Sequence, residues 1–215
     1  MTNEIIDYEE LIKPYDIPIS SMEVDLSIGQ GFFVSLMHEK DDWSFLIKIY
    51  TLIDTSLAYL IGQSLNKPEL VELIERINIT GGKTSKLEFV KNLSLLDKND
   101  INFINELSPL RNAASHTIQA ITISLITQVA NYSNEKIMKL IKIDVPKTKM
   151  SPKEIQKFVD FVKREPRVVI WISVMDLLKN IYLKKQELER SRRPNVSSTA
   201  IKLAEIMRNY SPKAM

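Results

Sequence analysis

The strongest hydrophobic periodicity in the chain begins just after Asp41-Asp42. Leu46, Ile49, Tyr50, Ile53, Leu57, Leu60 and Ile61 recur at three- and four-residue spacing. That places them on one face of a helix capped by the two aspartates and running to about Leu65. Pro68 opens a second, short helix ending near Ile77, and Gly81-Gly82 reads as a loop. Ser85 caps a third helix containing Leu87, Val90, Leu93 and Leu95. Asp97 and Asp100 start a fourth through Ile101, Ile104 and Leu107.

Ser108-Pro109 fits two patterns equally: an N-cap with proline at the first helical position, or a kink inside one longer helix. The segment that follows is rich in Ile and Thr, a strand-like composition. Its length and its apolar positions Ile118, Ile121, Leu125, Ile126 and Val129 favour a helix to about Asn131. Lys142 to Met150 reads as a linker. Ser151-Pro152-Lys153-Glu154 has the spacing of a capping box, and its helix ends before Pro166. The next helix, Pro166 to about Arg190, is apolar nearly all round, which suits a core or an oligomer interface. A last short helix is expected over residues 198–209.

Residues 1–40 carry Pro14, Pro18, Gly29 and Gly31 and read as an irregular N-terminal arm, with a short strand or a helical turn over Ser27 to Leu36. Residues 41–190 form the helical bundle, and residues 191–215 a basic C-terminal extension. The expected fold is all-α, a multi-helix bundle of about seven to nine helices.

The chain has 215 residues, of which 44% are hydrophobic and 26% charged. This is enough apolar material for one sizeable core. The net charge of +2 does not by itself argue for nucleic acid. No cysteine is present, which excludes disulfides and thiolate chemistry, and two histidines argue against a His-rich metal site. No metal or cofactor is expected. The N-terminus lacks the pattern of a signal peptide, and the apolar run Val168 to Met175 is far too short to cross a bilayer, so a cytoplasmic protein without a membrane partner is expected.

Three features invite a site and carry a simpler reading. Gly82-Lys83-Thr84 lacks the glycine that a phosphate loop needs at position 77 and follows a helix, so it reads as a connector. His38 sits in a charged, solvated loop. Asp54 lies at the margin of an apolar stripe, where an unpaired charge is costly. It either orients Arg111 or His116, or is an ordinary internal ion pair or a partly exposed acid, and the second reading is favoured.

The chemistry concentrates in Arg111-Asn112-Ala113-Ala114-Ser115-His116. Arginine offers a fixed cation with a fork of donors suited to phosphate oxygens. Histidine exchanges a proton near neutral pH. Asn112 adds a neutral amide, and Ser115 is a weaker candidate. Together they suit metal-free cleavage of RNA, where the ribose 2′-OH is an internal nucleophile. On one helix Arg111 and His116 lie about 140° apart, so two copies meeting across a two-fold axis make the more compact site. A homodimer is therefore expected if the site is catalytic. Lys184, Lys185, Arg190, Arg192 and Arg193 form the only dense basic cluster. It reads either as an RNA-binding surface or as a solvated helix end.

In context the motif resembles that of the HEPN superfamily, in which an Arg, a polar residue, a few variable positions and a His lie on one helix of an α-helical bundle. Leu107 to His116 fits that pattern, and the approach through Lys86-Leu87-Glu88-Phe89-Val90 and Leu95-Leu96-Asp97 fits as well. Over roughly residues 41–190 the chain is also similar to the mannitol operon repressor family. The first resemblance implies a metal-independent, often dimeric ribonuclease of the toxin–antitoxin or phage-defence kind, with Arg111 and His116 catalytic, Asn112 supporting, and an antitoxin or regulatory protein as a partner. The second implies a non-catalytic transcriptional regulator or protein-interaction module. An acidic residue tends to follow the Arg in that second family. Here it is Asn112, nearer the nuclease pattern, and no helix-turn-helix is evident.

Overall fold

Asp41 is extended, at φ −136° and ψ 157°, and its carboxylate accepts the Ser44 backbone N–H at 2.7 Å. That cap starts α3, Asp42–Ser64, whose apolar stripe buries Phe45, Leu46, Ile49, Ile53, Leu57, Leu60 and Ile61. The structure is a computed structural model and describes residues 16–115, 122, 124–142 and 151–192.

Among those residues there are ten α-helices and no strand, the all-α bundle expected. In chain order they are α1 Asp16–Asp25, α2 Phe32–Ser35, α3, α4 Val71–Glu75, α5 Lys86–Asn92, α6 Lys98–Ser115, α7 Leu125–Ala130, α8 Asn134–Lys139, α9 Pro152–Arg164 and α10 Pro166–Arg192. The central pair is α3 against α10, with α4, α5 and α6 along α3 and α1 along α10. Gly62 permits the close approach of α4, because a Cβ there would lie 2.7 Å from Val71 Cγ2. The most apolar stretch of α3 is long enough to cross a membrane by composition, and 67% of it is buried inside the protein. A core helix passes that test as readily as a membrane helix does.

Residues 16–25 and 32–38, read from the sequence as part of an irregular arm, are helical: α1, α2 and a 3-10 turn over Leu36–His38. Pro18 falls in the first turn of α1, where a missing N–H breaks no intrahelical bond. The buried Glu23 carboxylate accepts the N–H groups of Gly31 and Phe33 at 2.9 and 3.1 Å, which ties α1 to α2. Ile19, Met22, Phe33 and Leu36 join the same core as α3 and α10. The Trp171 indole N–H donates to the Phe33 carbonyl at 2.9 Å inside that core.

Two further readings change. The segment expected as one helix to Asn131 is interrupted at Ser124, which is extended and caps the separate helix α7 with its hydroxyl. Helix α5 ends at Asn92. Ser94 turns left-handed at φ 51° and the Leu95 N–H returns to the Val90 carbonyl, so Leu95 lies beyond the helix. The capping box at Ser151 and Glu154 forms as expected. The helix expected over residues 198–209 lies outside the described residues.

Asp41→Ala is expected to lower stability by about 1 kcal/mol. The Ser44 backbone N–H is the main reason this carboxyl sits below its ordinary 3.8. A depressed carboxyl stabilises the fold above its unfolded pKa, and the contribution fades as pH falls through the folded value. Urea titrations of Asp41→Asn should keep most of the cap at neutral pH and show a flatter acid limb.

Candidate functional site

Helix α6 runs unbroken through Pro109, so the reading of one longer helix holds and Ser108 is not an N-cap. The Ser108 hydroxyl turns back to the Ile104 carbonyl at 2.7 Å and pairs with the Tyr50 hydroxyl at 2.9 Å. This buried link fixes the Tyr50 ring on α3 beside the last turns of α6. One residue type on α3 thereby positions the motif: the Arg111 guanidinium stands 5.2 Å from the Tyr50 ring centroid, within cation–π range. Arg111 Nη1 also donates to Asn112 Oδ1 at 3.2 Å. The end of α6 is anchored by the Trp43 indole N–H, which donates to the Ala114 carbonyl at 2.8 Å.

Arg111 and Asn112 face an open cleft of about 340 Å³, walled by Tyr50, Asp54 and residues 75–80. Asp54 is paired, as the simpler reading held. Its carboxylate accepts the ammonium of Lys86, a side chain that is 0% exposed. Lys86 also donates to the Glu75 carbonyl at 3.2 Å and so pins the 75–80 segment over α3. The sequence gives little sign of this role, since a lysine after a cap serine is normally solvated.

The second half of the motif, His116, lies outside the described residues. Ser115 is exposed and its hydroxyl bonds to the Asn112 carbonyl at 3.2 Å. Among the described residues no group of three or more His, Asp or Glu side chains is placed to hold a metal ion.

The basic cluster stands elsewhere. The Arg192 guanidinium donates to the Ser64 carbonyl at the far end of α3. Ser64 lies about 20 Å along that helix from Tyr50, at 1.5 Å per residue. Its cations are also engaged within the chain. Lys184 pairs with Glu187 at 3.0 Å, Lys185 with Asp25 at 2.5 Å, and Arg190 donates to Gln186 at 3.3 Å. Arg193 lies outside the described residues.

No family model, curated protein or solved structure matches this chain.

Proposed function

We propose that this protein is a metal-independent endoribonuclease of the HEPN type, acting in the cytoplasm as a toxin or phage-defence effector and working as a homodimer. The observation that carries the reading is Arg111, held by the Tyr50 ring and Asn112 at the mouth of an open polar cleft. A guanidinium fixed in advance at a water-accessible cleft suits the stabilisation of charge developing on a phosphate.

In the proposed reaction His116 takes the proton of a ribose 2′-OH. The 2′-oxygen attacks the adjacent phosphorus, the P–O5′ bond breaks, and the 5′-oxygen leaves with a proton from an imidazolium. The products are a 2′,3′-cyclic phosphate and a 5′-hydroxyl. Arg111 stabilises the extra negative charge on the phosphorane oxygens, and Asn112 keeps the guanidinium in place. DNA has no 2′-OH and is not cut.

The test incubates purified protein with RNA in EDTA beside His116→Ala. Cleavage by the wild type alone is expected. Loss of cleavage on chelation, or equal cleavage by the variant, contradicts the reading. If neither protein cuts, the mannitol-repressor-like reading of a regulator or interaction module takes its place.

A further inference from the structure

Thr80 stands on the rim of the Arg111 cleft. That residue also lines a second, larger recess of about 520 Å³ that continues along α6 toward its N-terminus. One side of this recess is the Gly81-Gly82 loop with α5. The other is the outer face of α6, presenting Lys98, Asn102 and Asn105. At 100° per residue, Lys98, Asn102, Asn105 and Asn112 fall within about 80° of arc, so one polar stripe runs the length of the helix. From Lys98 to Asn112, which lines the Arg111 cleft, it spans about 21 Å.

The chemistry of this stripe is specific. Asparagine amides form paired hydrogen bonds with base edges. Pro109 has no N–H, so the Asn105 carbonyl has no amide at i+4 to bond and is left as an acceptor on the same exposed face. Lys98 stands at one end with Lys91 opposite it on α5, and Arg76 and Arg111 line the other end. Two of the three carboxylates present are partnered, and the third, Glu75, is exposed beside the Arg111 cleft. Asp54 is bound to Lys86, and Glu88 lies 3.7 Å from Lys91, whose side chain remains 62% exposed. Gly81 and Gly82 have φ of 101° and 93°, and a Cβ on either would meet no atom within 4 Å. Bare backbone therefore borders the recess, where a ligand chain can approach closely.

We infer that this trough along α6 is the track for single-stranded RNA leading into the Arg111 cleft. Asn102 and Asn105 contact base edges, and Lys91 and Lys98 contact phosphates. The inference rests on the ribonuclease reading for the direction of the strand. A strand stacked at 3.4 Å per nucleotide fills the trough with about six nucleotides. Single strands expose the base edges that asparagines read.

Binding and cleavage separate the two claims. A labelled single-stranded RNA of about eight nucleotides, 2′-O-methylated throughout so that it cannot be cut, is titrated in EDTA by fluorescence anisotropy over a range of salt. The wild type should prefer it over its duplex by about tenfold. Lys91→Gln with Lys98→Gln should reduce the slope of log K against log salt by about 1.4, two phosphate contacts at 0.7 each. Asn102→Ala with Asn105→Ala should leave the slope unchanged and narrow the spread of affinities among sequences. Lys184→Gln with Lys185→Gln, in the distant basic cluster, should leave both unchanged. Thermal melts confirm that the exposed-site variants are folded.

A wild type that does not bind, that binds duplex as tightly, or whose slope survives the loss of both lysines overturns the track. Cleavage of the unmethylated strand is scored separately. Binding by the track without cleavage keeps this inference and removes the ribonuclease. Cleavage with unaltered binding in the Lys91 and Lys98 variant does the reverse.

Discussion

Lys142→Ala lowers the stability of the fold by about 3–5 kcal/mol, the loss typical when one partner of a buried ion pair is removed. The Lys142 side chain is 4% exposed and its ammonium lies 2.9 Å from Asp100 on α6 and 2.5 Å from Asp176 on α10. Its backbone N–H donates to the Ser173 hydroxyl at 3.2 Å. This one residue, at the start of a stretch the sequence reads as a linker, joins the chain after α8 to two core helices. Without it Asp100, itself 2% exposed, loses its ammonium partner and keeps only the Asp97 backbone N–H. Asp176 keeps Lys179 at 2.9 Å, so Asp100 bears most of the loss.

The pH dependence of this trio has a defined sign. Burial pushes Asp100 above its ordinary 3.8, with Lys142 opposing. Burial works against Asp176 as well, yet hydrogen bonds from Lys142 and Lys179 hold it below 3.8. Burial likewise works against the charged form of Lys142, but Asp176 and Asp100 together raise it above 10.5. A raised lysine stabilises fully below its unfolded pKa and loses that contribution as pH rises through the folded value. Asp176 contributes above its unfolded pKa and loses the contribution as pH falls through the folded value. Asp100 has the opposite sign, since a raised carboxyl gains stability as pH falls through its folded value. Lys142→Met should therefore lack the alkaline decline and recover part of its deficit in acid. Urea titrations across pH 3 to 11 measure both limbs.

Arg111→Ala is expected to lower kcat for RNA cleavage by about 10²–10³, the effect of removing one preorganised donor to a developing anion. The fold should be little affected, because the side chain is half-buried and its contact with Tyr50 is worth about 0.5–1 kcal/mol. Arg111→Lys should recover only part of the rate, since an ammonium cannot reproduce the planar fork. Tyr50→Phe keeps the ring beneath Arg111 and loses the hydroxyl bond to Ser108. It should cost stability more than kcat, whereas Tyr50→Leu should lower kcat as the guanidinium loses its support.

The long amphipathic elements were legible because periodicity and caps agree. Asp41 before the stripe of α3, and Ser151 with Glu154 before α9, both form as the spacing predicts. Proline was harder to interpret. Its position within a helix decides its effect, and sequence does not give that position: Pro18 sits in a first turn, Pro109 in an exposed interior turn, Pro166 at a start. The short helix α8 went unread because six residues carry too little periodicity. Lys86 and Lys142 leave no sign in the sequence, since a buried lysine is defined here by carboxylates 32 to 42 positions away in the chain, and local pattern carries no trace of them. Arg111 and Asn112 were picked out for their chemistry alone. Their shared cleft depends on Tyr50 and on the 75–80 segment, which only tertiary packing brings there.

The central claim is that Arg111 and His116 act together on a ribose-flanked phosphate. It is tested most directly by mass analysis of the fragments formed from an RNA with one 2′-deoxy substitution at its preferred cut site, in EDTA. The account predicts 2′,3′-cyclic phosphate ends from the unsubstituted strand and silence at the substituted position. Cutting at the 2′-deoxy nucleotide, or fragments ending in 5′-phosphate, would contradict it.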